Sequence, residues 1–503
     1  MLTVRYSADI NSYVDQCPIH LFDTQTNRNI PRSELKDNIS AALRRWMELP
    51  LTCSEIVEAM FTLLPHYIQS GFKGMLRAYI YTAMAKSPLV DGEACFISAI
   101  RGELLPSRNR NLYTQYHVHS SWLDPMIQAV QDLIERKRAQ ASRPSHQEVR
   151  EQIAMLGQYA ILSHCWDQDN SQELIFDDVA HISDPRVLAK SGFSKLQGFT
   201  KVVKSRYGCR YLWMDTACIE ETDREYSIPL MFGWYRHAYI CVVYLSTSAI
   251  LGDRWVTRGW TLQELLAADK IVFFTNSWVR LKAEDVLGSK FHACREILSY
   301  SSVYEQLKEI IGYLDWAAYQ PGVDQALDVL FAMRARETTK PEDRVYSLLS
   351  SLNISISIEY GEGFERAFYR LQAEILIQGQ DRRLLLWKGW KGWESSYNSM
   401  LSNHFDSWLS GDFEEYRSSK YSSSFDPTIT FDSNNVMRIM VFLYRLYSSP
   451  SHVFMLLGRY THSSSYVGIL LWEFPGNIYR RIGYKEHNSR ISFDKPPEWI
   501  YIK

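Results

Sequence analysis

Over roughly the first 150 positions, apolar residues recur at three- and four-residue steps. The pattern is clear in Ala41–Leu49 and Ile56–Leu64, and it predicts helices. Beyond Tyr159 the pattern changes. Short unbroken apolar runs at Tyr159–Ser163, Tyr211–Met214, Tyr239–Leu245 and Ile271–Phe274 predict strands buried on both faces. Helical patterns separate them. Leu196, Phe199 and Val203 share one face of Phe193–Val203, Ser227 is placed to cap a helix facing inward with Ile228, Met231, Phe232 and Tyr235, and Trp260–Ala267 reads as a third helix.

Strands alternating with helices argue for an α/β fold with a doubly wound parallel sheet. Right-handed crossovers then bring the polar residues that end each strand to one carboxyl edge, where ligand sites of open sheets lie. These residues are Ser163–Asp167, Asp215–Cys218 and Ser246–Ser248. After Leu298 the pattern is largely helical to Gln378, apart from a strand-like run near Ile354. Strand-like pieces follow at Val436–Leu443, Tyr466–Trp472 and Trp499–Ile502. We expect a mostly helical unit over 1–150, an α/β domain over 151–300, a helical extension over 301–386 and a mixed α+β or β-rich unit over 387–503. The polar segment Arg136–Glu151 marks the first boundary.

Composition narrows the classes. A length of 503 residues predicts several domains, and 46% hydrophobic residues argue against wholesale disorder. Fifty-five basic against 57 acidic residues leave a net charge of -2, which offers no footprint for nucleic acid. The basic cluster Arg136-Lys137-Arg138 reads as a solvated helix end or a linker rather than a binding site. Eight scattered cysteines show neither C-x-x-C pairing nor zinc-ligand spacing, so no metal site is expected and reduced thiols in a cytoplasmic protein are. No apolar run reaches bilayer length, no phosphate loop is present, and Met1–Asp9 lacks the long apolar region expected of a signal peptide.

Three stretches join apolar runs to chemically capable side chains: Tyr159-Ala-Ile-Leu-Ser-His-Cys-Trp166, Tyr211-Leu-Trp-Met-Asp-Thr-Ala-Cys-Ile219 and Arg258-Gly-Trp-Thr-Leu-Gln-Glu-Leu-Leu266. Together they resemble the signature blocks of the fungal heterokaryon incompatibility (HET) domain, an effector of self/non-self cell-death responses. Pro341-Glu-Asp-Arg-Val-Tyr-Ser-Leu-Leu349 and Tyr360-Gly-Glu-Gly363 look like blocks that commonly follow it. The resemblance covers roughly Tyr159 to Leu386, with Asp167 standing where many members have glycine. Trp260, Glu264 and Leu265 also look like the Trp-Cys-x-x-Glu-Leu block of TIR domains, with Thr261 in the cysteine's place. TIR domains share the flavodoxin-like sheet, and several cleave NAD with that glutamate.

What the resemblance implies for Glu264 suits one carboxylate: loss of nicotinamide builds oxocarbenium character that an anion stabilises. Glu264 is therefore the candidate catalytic residue. Ser163, Trp166, Asp215 and Trp260 are candidate substrate-binding residues, with NAD as a candidate substrate and no cofactor. A helix-surface glutamate, or one paired with Arg258 or Arg254, fits Glu264 equally well. Asp215 fits either a ribose hydroxyl or a cap on the following turn. A Cys218–His164 thiol pair is a rival, whereas adjacent Cys165 and His164 point to opposite strand faces. Tyr360–Gly363 reads as a tight turn, and Arg334, Arg336 and Arg344 as partners of Glu337, Glu342 and Asp343. Two functions remain open: an effector that cleaves NAD when copies assemble, or a non-catalytic signalling module. Each needs a protein partner or self-association, and neither needs nucleic acid or a membrane span.

Overall fold

The computed structural model describes residues 6–47, 49–64, 70–89, 92–105, 119–140, 144–281, 319–379, 382–385, 401, 405, 429–431, 437–441, 443–445, 452–459, 466–475, 478–487 and 498–502. The chain divides into two compact units, Met1–Trp255 with Glu264–Leu307, and Val256–Gln263 with Lys308–Lys503.

The first unit is mixed α/β. Its described residues form a six-stranded sheet from β1 (His20–Asp23), β2 (Arg28–Pro31), β3 (Tyr159–His164), β4 (Tyr211–Trp213), β5 (Ile240–Tyr244) and β6 (Ile271–Phe274). The order is β2-β1-β4-β3-β5-β6. The four apolar runs became the four parallel strands, with Tyr159 opposite Tyr211, Ser163 opposite Val243 and Val242 opposite Val272. β3 is buried along its whole length, as expected for a parallel strand between two others. From β3 the chain places β4 on one side and β5 then β6 on the other, so the strand order reverses at β3.

The hairpin β1–β2 was not legible in the sequence. It joins the sheet antiparallel to β4, with Phe22 opposite Leu212. Its fastener is ionic: fully buried Asp23 accepts from Arg210 Nε at 2.9 Å and Nη2 at 2.7 Å. These bonds hold the Asp23 carboxyl below its usual pKa, although burial alone would raise it. The helices Arg32–Trp46, Cys53–Phe61, Ser70–Lys86, Glu93–Leu104 and Leu123–Gln140 follow. The last four share an apolar core that includes Ile56, Met60, Phe72, Ile80, Phe96 and Val130.

Within the polar segment Arg136–Glu151, Ser145 and Glu148 form a capping box that starts the helix His146–Gly157, which leads into β3. Two local expectations change. Ser227 caps nothing; it ends the short helix Arg224–Ser227, and the chain continues through a 3-10 turn into Met231–His237. The run near Ile354 forms no strand. It lacks a pairing partner among the described residues, and apolar content alone does not make a strand.

The second unit contains the helices Ala326–Met333 and Phe364–Gly379. It also holds a second sheet of seven strands among the described residues, from β7 (Thr430–Phe431), β8 (Met437–Val441), β9 (Leu443–Arg445), β10 (His452–Arg459), β11 (Tyr466–Phe474), β12 (Ile478–His487) and β13 (Glu498–Ile502). β12 and β13 are parallel and the other pairs antiparallel. The expected helical stretch over 301–318 lies outside the described residues, as does most of 387–428. No helix of the described residues is long and apolar enough to cross a membrane.

Two glycines give a paired test. Gly198, on the helix Ser191–Arg206, lets the Trp278 indole lie directly on the backbone, and a Cβ there would fall on the ring. Gly102, inside the helix Glu93–Leu104, has nothing within 4 Å of where a Cβ would stand. Gly198→Ala should cost about 1–3 kcal/mol through overpacking. Gly102→Ala should be neutral or stabilising by up to about 1 kcal/mol. Urea denaturation of both variants checks the contrast.

Candidate functional site

The site is built where β3 and β4 end. Ser163 is the last residue but one of β3 and fully buried, so its hydroxyl must find protein partners. It accepts from Trp255 Nε1 at 2.7 Å and donates to Glu264 Oε2. Glu264 is itself buried, 8% exposed. It belongs to the helix Trp260–Ala267, and its carboxylate also lies near Tyr235 and Cys241. Burial, with that carboxylate beside it, holds the Tyr235 phenol well above its ordinary pKa. Tyr235 donates to the Leu162 carbonyl at 3.0 Å. The arrangement fixes a carboxylate against the end of β3, with a hydroxyl and an indole in series.

Trp255 is positioned in turn by Asp253, which is 1% exposed. One Asp253 oxygen accepts from the Trp255 amide at 2.8 Å. The other gathers the end of β5, accepting from the Ser246 hydroxyl at 2.9 Å and the Thr247 amide at 2.8 Å. Sequence reasoning missed both residues. The available signal was an Asp two places before a Trp, the spacing of an Asx turn.

A second cluster lies one residue further along. His164 Nε2 is 2.9 Å from Asp215 Oδ1, and its Nδ1 is 3.2 Å from the Cys165 carbonyl. Trp166 Nε1 donates to Asp215 Oδ2 at 2.6 Å, and the Thr216 amide to Asp215 Oδ1 at 2.8 Å. Asp215 thus accepts from the amide that follows it and also ties β3's end to β4's. His164 was noticed in the sequence but not named as a site residue. The His164 ring is enclosed, 1% exposed, whereas Asp215 keeps 20% of its side chain open. The Arg224 guanidinium lies 5.8 Å over the Trp166 ring.

The loop after Trp166 hangs on a buried ion pair. Lys195 Nζ reaches Glu173 Oε1 at 2.6 Å and the Cys165 carbonyl at 3.3 Å, while the Asp167 amide donates to Glu173. Asp167 accepts from the Ser191 hydroxyl at 2.8 Å and the Asp169 amide at 3.2 Å. These bonds hold its carboxyl below the usual pKa, so the residue in glycine's place organises the turn.

The thiol–histidine alternative finds no support. Burial pushes Cys218 up to about 12, and its sulfur faces Asn29 and the Leu212 carbonyl. A protonated, enclosed thiol is a poor nucleophile.

In the second unit, the segment Val256–Gln263 is held by the later blocks. The Gly259 amide donates to the Glu337 carbonyl at 2.8 Å, and the Glu337 amide to the Thr257 carbonyl at 2.6 Å. Arg336, 1% exposed, donates through Nη1 to the Arg258 carbonyl and the Thr261 hydroxyl, both at 2.9 Å. Trp260 Nε1 donates to Asp343 Oδ2 at 3.3 Å, and Tyr360 to Asp343 Oδ1 at 2.9 Å. The Gly361 and Gly363 amides donate to Glu342 Oε1 at 2.9 and 3.0 Å. Both glycines have positive φ, +95° and +82°, the turn conformation that favours glycine. Tyr360–Gly363 is therefore a turn that holds an internal carboxylate, and Glu342 uses backbone amides in the place expected for an arginine.

Of the five candidate residues, Ser163 and Glu264 bond directly, Trp166 and Asp215 bond directly, and Trp260 bonds to Asp343. Among the described residues, no three His, Cys, Asp or Glu side chains are placed to hold a metal ion.

Comparison with known proteins bears on the same residues. The family model for the heterokaryon incompatibility protein (HET) matches residues 159–250. Vegetative incompatibility protein HET-E-1 of Podospora anserina is 33% identical over 244 residues, which are 43% of this chain and 16% of that protein. The chain thus spans less than a fifth of the relative's length. No solved structure matches. The matched segment begins at the first residue of β3 and includes Ser163, His164, Trp166 and Asp215; this chain therefore carries a fungal heterokaryon incompatibility domain.

Proposed function

We propose that the protein is a heterokaryon-incompatibility-type effector, in which the HET domain signals cell death in self/non-self recognition and acts as a non-catalytic module. One observation carries the non-catalytic part: Glu264 is buried and joined through Ser163 to Trp255, the geometry of a fold anchor. The similarity to HET-E-1 supports the incompatibility role. The ends of β3 and β4, tied by Asp215, then present a fixed edge to a protein partner.

A second reading is NAD cleavage at Glu264. It is favoured by the strand order, because the reversal at β3 is where doubly wound, flavodoxin-like sheets of the TIR kind bind ligands. Ser163 and Glu264 stand beside that reversal. Half-open Asp215 and Trp166 would then face the ribose and nicotinamide portions.

Glu264→Gln separates the two. As a fold anchor, the carboxylate loses a charge-assisted bond, costing about 1.5–3 kcal/mol. At about 2–4 °C per kcal/mol the melting temperature should fall measurably, and killing in a fungal host should fall with the yield of folded protein. NAD incubated with the parent at high protein concentration should release no nicotinamide. A well-folded Glu264→Gln protein that fails to kill, beside a parent that releases nicotinamide, would establish the enzyme instead.

Asp215→Ala removes the acceptor shared by His164, Trp166 and the Thr216 amide. We expect a loss of about 2–3 kcal/mol and a red-shifted Trp166 emission as the indole is freed. Unchanged emission and stability would show that the tie between β3 and β4 is dispensable.

A further inference from the structure

The two ends of the parallel strands carry opposite charge. Residues 165–189 and 215–227, which follow the carboxyl ends of β3 and β4, hold eleven Asp and Glu against two Arg. Residues 190–210, which return through the helix Ser191–Arg206 to the start of β4, hold six Lys and Arg and no Asp or Glu. Part of this charge is neutralised locally, as in Lys190–Asp178, Lys195–Glu173 and Arg210–Asp23. Lys201, Lys204 and Arg206 remain exposed at one end, and Asp169, Asp177, Glu221 and Glu225 at the other.

Each end also has a shape. Beside Lys204 lies an open, shallow groove of about 630 Å³. It is lined by Ala94, Cys95, Ser98, Ala99, Gly102 and Glu103 of the helix Glu93–Leu104, together with Lys86, Lys204 and Ser205. It is open at Gly102, since a Cβ there would touch nothing within 4 Å. Lys86 is clamped between Glu103, at 2.6 Å, and the Ser205 carbonyl, so the groove is already formed. The acidic end bears apolar projections: Tyr226, beside Glu225, is 61% exposed, and Leu251 in the segment after β5 is 46% exposed. Large apolar side chains on an acidic edge and an open groove beside the exposed Lys204 are complementary. They lie at opposite ends of the same strands, so one copy cannot join them.

We propose that the groove beside Lys204 docks the acidic loops of a second copy of this chain, with Tyr226 and Glu225 entering it, so that copies associate head to tail. Such contact is heterologous and leaves a free groove and a free acidic edge at the ends of each assembly. It stands whether or not the HET domain cleaves NAD.

The test uses the full chain and sedimentation velocity. The parent should associate with rising concentration, and less so as salt screens the contact. Lys204→Glu and Glu225→Lys, both at exposed positions, should each weaken self-association about tenfold or more. Mixed together, the two variants should associate more than either does alone, because one keeps an intact acidic edge and the other an intact groove. Melting curves that match the parent's confirm that each variant is folded. A parent that stays monomeric at its highest soluble concentration overturns the proposal, whatever else the groove binds. So do single variants that associate as the parent does. A mixture no more associated than its components overturns the head-to-tail geometry.

Discussion

The Ser163 hydroxyl is the interaction on which the carboxyl edge of the first unit depends. β3 lies between two parallel neighbours with both faces covered, so a polar side chain on it has no access to water. Its partners come from segments that follow β5, and each is held from behind: Trp255 by Asp253, and Glu264 within its helix beside Tyr235. Losing the hydroxyl alone would take one hydrogen bond from a buried indole N–H and one from a buried carboxylate. Bonds to charged groups are the costlier ones to lose. This explains why Ser163, a poor strand former, occupies β3, an interior strand whose other residues before it are apolar.

The chain between those partners, Val256–Gln263, belongs to the second unit. There it lies on the backbone of Glu337, while Arg336 takes the Arg258 carbonyl and Asp343 takes Trp260. This gives a physical reason for motifs so far apart in sequence to occur together. The block after Pro341 supplies Glu342 and Asp343, and the glycine turn supplies the amides and the tyrosine that hold them. Its own backbone amide, joined by the Gly363 and Gly361 amides, holds the Glu342 carboxyl below the usual pKa.

Much of this was legible in the sequence, for stated reasons. Parallel strands announce themselves as unbroken apolar runs, so β3, β4, β5 and β6 and their shared direction could be read directly. The hairpin β1–β2 could not, because four-residue strands with a charged end carry too little pattern and the Asp23–Arg210 pair spans 187 positions. Glu264 and Asp215 stood out by residue type and placement, but Asp215 shares its oxygens among three donors that only the folded chain brings together. Trp255 was hidden because its role depends on a partner 92 residues away. Ser227 and the run near Ile354 misled because capping residues and apolar runs are necessary signals but not sufficient ones.

The path of the chain also governs how the domain can be isolated. The family match ends at Ile250. A fragment trimmed to that limit would keep Ser163 but discard Trp255, Glu264 and the whole of β6. β5, an interior strand, would become an edge, with its backbone donors and acceptors free to pair with another chain. Extending the fragment to Phe274 would restore the strand and both partners. It would also carry along Val256–Gln263, stripped of the Arg336 and Glu337 that hold it. Neither cut yields a self-sufficient module, so poor solubility of an excised domain would reflect where it was cut.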